Sequence, residues 1–195
     1  MKNNKFNVII LGKSYVGKTT IFNRYVNGNF CEKFDPTSED TLSKCVQLDK
    51  TNYDVDFIDT FSNCGFHSLI DYLISLSDVF VIVYAINYRE SFDEITQIHQ
   101  NIVNILHKNH KECLPIVICG NKSDLEMDRR VSFDEGQQMA NDLNCLFFET
   151  SAKNNINVTE ALENVMLTYI EKINKENSRI NNEMIIEEKI RCTTV

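Results

Sequence analysis

The chain has 195 residues, 43% hydrophobic and 25% charged, the size and balance of one soluble domain with a short extension. Its 20 basic and 28 acidic side chains leave a net charge of −8, and a pI near 5.0 argues against non-specific binding to nucleic acid. No run approaches the roughly 18 apolar residues of a membrane span, residues 1–7 lack the apolar centre of a secretory signal, and seven cysteines without a C-x-x-C pair suit reduced thiols, so a cytoplasmic protein is expected.

Residues 6–11 form a run rich in β-branched side chains, suited to a strand buried on both faces, and Gly12 closes it. A helical pattern over about 18–26 carries Ile21, Phe22 and Tyr25. Residues 30–40 are polar, contain Pro36 and read as loop. Strands over about 41–48 and 53–58, joined by 49–52, suit a hairpin, and an irregular stretch over 60–77 leads to an apolar strand at 79–85. Ser91 with Glu94 has the spacing of a capping box before a helix showing Ile95, Ile98, Ile102 and Ile105. A strand at 116–119, a second box at Ser132 and Glu135 opening a helix to about 142, a strand at 146–148 and a helix carrying Val158 to Ile173 complete the order.

This alternation predicts a three-layer α/β fold. Its six-stranded sheet is mostly parallel, with one antiparallel edge strand and helices on both faces. One folded domain is expected over 5–174 and a flexible tail over 175–195, where the periodicity fades. In such sheets ligands bind beyond the carboxyl ends of the strands.

Beyond the first strand stands Gly12-Lys13-Ser14-Tyr15-Val16-Gly17-Lys18-Thr19, a G-x-x-x-x-G-K-T phosphate loop between strand and helix. Successive backbone N–H groups and a helix N-terminus offer fixed positive potential to phosphates. Lys18 would reach the β- and γ-phosphates and Thr19 would ligate Mg²⁺. Beyond the 116–119 strand comes Asn121-Lys122-Ser123-Asp124, and beyond 146–148 comes Thr150-Ser151-Ala152-Lys153. The Asp124 carboxylate suits the paired N1–H and N2–H₂ donors of guanine, and the Ala152 N–H suits its O6. A misfit base would leave the carboxylate desolvated and unpaired.

With these three motifs the chain resembles small GTPases of the Ras superfamily over about residues 5–173, on the Ras and Rap branch. Phe34-Asp35-Pro36-Thr37-Ser38-Glu39-Asp40 is similar to the first switch and effector segment, Glu32-Lys33 is closer to Rap, and Asp59-Thr60 stands where the D-T-A-G-Q second switch begins. The resemblance implies GTP/GDP and Mg²⁺ as ligands. Residues 12 and 14–20 (Gly12, Ser14, Tyr15, Val16, Gly17, Lys18, Thr19 and Thr20) would embrace the phosphates. By the same resemblance Thr37 would bind the γ-phosphate and join Thr19 and Asp59 at the metal, with Phe30 and Phe34 near the nucleotide. Asn121, Lys122, Asp124, Ser151, Ala152 and Lys153 would shape the base pocket. Asn63 would orient the attacking water, with Lys18 and Thr37 completing the catalytic set. The implied partners are effectors through residues 34–42, an exchange factor and an activating protein, on a monomer.

The chain departs from this pattern at the second switch, Asp59-Thr60-Phe61-Ser62-Asn63. Ser62 replaces a glycine whose N–H meets the γ-phosphate, and Asn63 is one methylene shorter than glutamine. A displacement of about 1 Å can cost on the order of 10²-fold in rate. Ser14 and Tyr15 replace glycines of the phosphate loop, Phe34 replaces a tyrosine, and Tyr15 is expected to project into solvent over the phosphates. Two functions are consistent with these changes: a switch that hydrolyses GTP slowly, or a binding module held in the GTP state. An ATP-using P-loop kinase is disfavoured by Asp124 and the lack of an arginine-rich lid. Cys192, the fourth residue counting back from Val195, suits prenylation. Neighbouring Glu187 and Glu188 supply no polybasic second signal, so any attachment to the cytoplasmic face of a membrane would be reversible.

Overall fold

A computed structural model describes residues 4–28, 41–60, 67–111 and 114–193, with side chains described to Arg179, His67 excepted. Six strands make one sheet in the order β2-β3-β1-β4-β5-β6. They are β1 (Lys5–Leu11), β2 (Thr41–Leu48), β3 (Thr51–Asp59), β4 (Val79–Ala85), β5 (Ile116–Asn121) and β6 (Leu146–Glu149). Every neighbouring pair is parallel except β2 and β3, whose antiparallel hairpin forms one edge. The mostly parallel three-layer architecture is thus as the alternation implied.

The layering follows from the two-residue period of strands. Val8 and Ile10 on β1, Val79, Val81, Val83 and Ala85 on β4, and Val117 and Cys119 on β5 point to one face. There they meet Ile21, Phe22 and Tyr25 of α1 (Lys18–Asn27) and Val158, Leu162, Val165 and Ile170 of α6 (Val158–Thr193). Ile9, Leu11, Phe80, Ile82, Tyr84, Ile116 and Ile118 point to the other face. That side is covered by Ile74 of α2 (His67–Leu76), Phe92 of α3 (Arg89–Asp93), Ile95 and Ile102 of α4 (Ile95–Lys108) and Ala140 of α5 (Phe133–Asp142).

Four local expectations are corrected. The stretch 60–77 contains α2, whose Leu69, Ile70, Tyr72, Leu73, Ile74 and Leu76 form a broad apolar face opposite Ser68, Asp71 and Ser75. The hairpin link is only Asp49 and Lys50, both at positive φ (45° and 64°). Ser91 and Glu94 do not cap a helix: the Ser91 hydroxyl lies inside α3, donating to the Tyr88 carbonyl and accepting from the Ala85 N–H, while Glu94 pairs with Lys13. The last helix does not stop near 175 but runs to Thr193, because residues 176–193 contain no glycine or proline to end it. The second box is as expected: the Ser132 hydroxyl accepts from the Glu135 N–H and the Glu135 carboxylate accepts from the Ser132 N–H.

Candidate functional site

Because β1, β3, β5 and β6 run parallel, the segments after Leu11, Asp59, Asn121 and Glu149 emerge at one end of the sheet. The phosphate loop begins with Gly12 at φ +144°, where an added Cβ would lie 2.2 Å from the Val83 carbonyl oxygen of the neighbouring strand. Gly17, at φ +97°, caps α1 with no side chain, so the first N–H groups of the helix face the loop. A Cβ on Gly17 would meet the Asn121 amide at 2.4 Å. Lys18 is 7% exposed and its ammonium donates to the Gly12 carbonyl (3.0 Å) and the Lys13 carbonyl (3.1 Å), inside the loop it would serve. Burial lowers its pKa, while the nearby Asp59 charge opposes that shift.

Val16 is fully buried, Ser14 is half-buried, and Thr20 continues the first turn of α1 beside Thr19. Tyr15 projects into solvent as expected, 87% exposed, from a backbone at φ +66° that glycine would adopt more readily. The Lys122 ammonium donates to the Tyr15 carbonyl at 2.5 Å and so spans from the base-side loop to the phosphate loop. Burial lowers the Lys122 pKa, with the Asp124 charge acting the other way.

Asn121 joins all three motifs. It is 2% exposed, its amide donates to the Val16 carbonyl (2.8 Å), and its Oδ1 accepts from the Thr150 hydroxyl (3.2 Å) and the Ala152 N–H (3.3 Å). The Ser151 hydroxyl donates to Asp124 Oδ1 at 2.5 Å and accepts from the Asn154 N–H at 3.0 Å. The exposed Lys153 follows on the same loop. Thus residues more than a hundred positions apart close on one another beyond the sheet.

Asp59 ends β3, and its carboxylate accepts the Thr19 hydroxyl. Two hard oxygen donors side by side fit Mg²⁺, which keeps several waters and needs few protein ligands. Phe30, Phe34, Thr37, Ser62 and Asn63 lie outside the described residues. Of the effector segment 34–42, only Thr41 and Leu42 are described, on β2; Thr41 is exposed and Leu42 packs partly against the core. Cys192 lies in the last turns of α6, beyond the described side chains.

Three contributors received no role from the sequence. Thr150 buttresses Asn121. Lys13 reaches Glu94 at 2.5 Å and lies over the Tyr88 ring, tying the phosphate loop to the start of α4. Arg24 on α1 donates to the carbonyls of Ala152 and Lys153. An arginine within a helical period looks like any solvated face, and only the tertiary fold brings it to residue 152.

A mixed sheet with a glycine-capped phosphate loop and a buried asparagine joining it to two further loops is the P-loop fold of small GTPases. The Ras family model matches residues 7–172, and the chain belongs to that family. It is similar to "GTP-binding protein Rhes" of Mus musculus, Rattus norvegicus and Homo sapiens, in each case 38% identical over 164 residues. The match covers 80% of this chain and 62% of each relative, so the chain spans less than two thirds of the length of those proteins.

Proposed function

We propose that the chain binds GTP and GDP and acts as a signalling switch that hydrolyses GTP slowly. The observation that carries this reading is Asn121, whose amide and carbonyl oxygen join the phosphate loop to the Ser151–Lys153 loop beside Asp124. In this reading Gly12, Ser14, Tyr15, Val16, Gly17, Lys18, Thr19 and Thr20 enclose the phosphates. Asp124 accepts from guanine N1–H and N2–H₂, Ala152 donates to O6, and Lys122, Ser151 and Lys153 pack around base and ribose. Phe30 and Phe34 cover the nucleotide. Thr19, Asp59 and Thr37 hold Mg²⁺, which would offset charge on the β- and γ-phosphates.

Thr37 and Ser62 would contact the γ-phosphate, so loss of that group releases both segments, and a partner bound across 34–42 reads the difference. Asn63 would place the attacking water, but its amide reaches one methylene less far from the backbone than that of glutamine. This shortfall, with Ser62 in place of glycine, also favours a second reading: a module that stays GTP-loaded and is controlled by exchange, location or turnover. Regulation by an exchange factor and an activating protein, a monomeric state and reversible membrane attachment through a prenylated Cys192 belong to the same proposal. Intact-mass measurement on protein from its native cell reads the lipid directly, and an unmodified mass excludes it.

The deciding experiment is to denature the purified protein and identify the released nucleotide by chromatography. GDP supports the slow hydrolase, GTP supports the loaded module, and an adenine nucleotide overturns the guanine site.

A further inference from the structure

We propose that Arg24 is a positioning residue for guanine recognition, holding the base-side loop in register against the end of α1; this rests on the guanine-site reading above. Arg24 lies in the last turn of α1. Its guanidinium donates through Nε to the Ala152 carbonyl (2.8 Å), through Nη2 to the Lys153 carbonyl (2.9 Å) and through Nη1 to the Gly28 carbonyl (2.9 Å). A planar fork with fixed N–H directions can serve two successive carbonyls only if the peptide between them keeps one orientation. These are charge-assisted hydrogen bonds to neutral acceptors, stronger than ordinary ones.

The consequence falls on the Ala152 N–H, which donates to Asn121 Oδ1 at 3.3 Å and is also the donor assigned to O6. On one side Ser151 is fixed by its hydroxyl on Asp124 and by paired backbone hydrogen bonds with Ile156 (3.0 Å each way). On the other side the Ala152 and Lys153 carbonyls are fixed by Arg24. The amide is therefore held at both ends, as an O6 donor must be to discriminate. The third bond goes to Gly28, which ends α1 at φ +70° immediately before the segment carrying Phe30, Phe34 and Thr37. One side chain thus joins the loop beside the base to the C-terminal cap of α1.

A merely structural role would be that of a cation at a helix C-terminus, favourable to the helix dipole. Charge alone supplies that role, and lysine would fill it. The two roles separate in one comparison of wild type, Arg24→Ala and Arg24→Lys. The readouts are the dissociation rate of a fluorescent GDP, the melting temperature, and the affinity ratio between GDP and the diphosphate of 2,6-diaminopurine riboside, which carries an amino group in place of O6 and no hydrogen on N1. Arg24→Ala is expected to speed GDP release about tenfold or more and to shrink the affinity ratio. Arg24→Lys keeps the charge but cannot span both carbonyls, so its release rate and ratio should lie nearer to alanine than to wild type. Release within twofold of wild type and an unchanged ratio in Arg24→Ala overturn the proposal. So does an Arg24→Lys variant that equals wild type in both. Failure of the wild-type chain to hold GDP at all overturns the guanine site itself, whereas a wild type that holds GDP with silent variants overturns only the role of Arg24.

Discussion

In the proposed guanine site, specificity would rest on a single side chain, Asp124. Its carboxylate takes a hydrogen bond from Ser151 through Oδ1, so one edge is anchored before any base arrives. Asp124→Asn keeps the shape, but places an amide where guanine offers only donors. The expected outcome is a loss of GTP affinity of about 10²-fold or more, with xanthosine triphosphate, which presents a carbonyl at C2, now accepted. Competition titration measures both, and unchanged GTP affinity sinks the assignment. Gly12 is as sharp a case for stability. Its φ of +144° and the 2.2 Å approach of a Cβ to the Val83 carbonyl leave no room for a side chain. Gly12→Ala should cost about 3 kcal/mol or more, because both the backbone and the β1–β4 pairing would have to shift. Urea unfolding reads this, and a loss below about 1 kcal/mol contradicts it. The glycines were legible because the phosphate motif demands them, whereas Arg24 and Thr150 were not, because their partners lie 128 and 29 residues away.

Secondary structure was legible wherever one local pattern dominated. The box at Ser132 and Glu135 is found where its sequence placed it, and Glu135 does more than cap α5. Its carboxylate pairs with Arg89 and accepts from the Ser132 N–H and hydroxyl, and these contacts, the Arg89 pair foremost, hold its pKa down to about 2. A carboxylate whose folded pKa is depressed contributes its full share above its ordinary value near 4.5 and loses it as the pH falls toward 2. Glu135→Gln should therefore lower the melting temperature above pH 5, and the gap should close by about pH 2. The exposure of the pair keeps the gap to a few degrees and makes it shrink in salt. A gap independent of pH would assign the effect to shape rather than charge. The pair at Ser91 and Glu94 has the same spacing and forms no cap, since the Ala85 N–H claims the serine and Lys13 claims the glutamate. Tertiary partners outbid a local motif there, whereas α2 does carry a helical period, Leu69, Ile70, Tyr72, Leu73, Ile74 and Leu76 against Ser68, Asp71 and Ser75, which the irregular reading of 60–77 passed over. At the hairpin, Asp49 and Lys50 both sit at positive φ, the conformation of a two-residue type I′ turn. Lys50→Gly should raise stability by about 0.5–1 kcal/mol by removing the left-handed penalty, less the chain entropy of glycine. Thermal unfolding tests this, and a loss of stability would mean that the turn tolerates lysine at no cost.

At the scale of the whole molecule the alternation of strands and helices was enough to give the layers, because every central strand must bury both faces and each helix only one. The strand order was not written in that alternation; it follows from which strands pair, a long-range property. What the order achieves is convergence. The phosphate loop follows β1, Asp59 ends β3, Asn121 ends β5 and the Thr150–Lys153 loop follows β6, so a ligand at that end touches segments spread across most of the chain. Such a ligand must stabilise the global fold rather than one loop. Saturation to about one hundred times the dissociation constant adds about 2.7 kcal/mol. For a chain of this size about 2–4 °C accompanies each kcal/mol, which gives a shift on the order of 5–10 °C. The expected result is that GDP with Mg²⁺ raises the melting temperature of nucleotide-stripped protein by that amount, in a single transition. ADP with Mg²⁺ should leave it in place, because adenine offers Asp124 no paired donors. Equal shifts from the two nucleotides would mean that the phosphates alone are recognised and that the loops after β5 and β6 do not read the base. A shift confined to one of two separate transitions would mean that the four segments do not act as a unit, despite the hydrogen bonds that Asn121 makes to two of them.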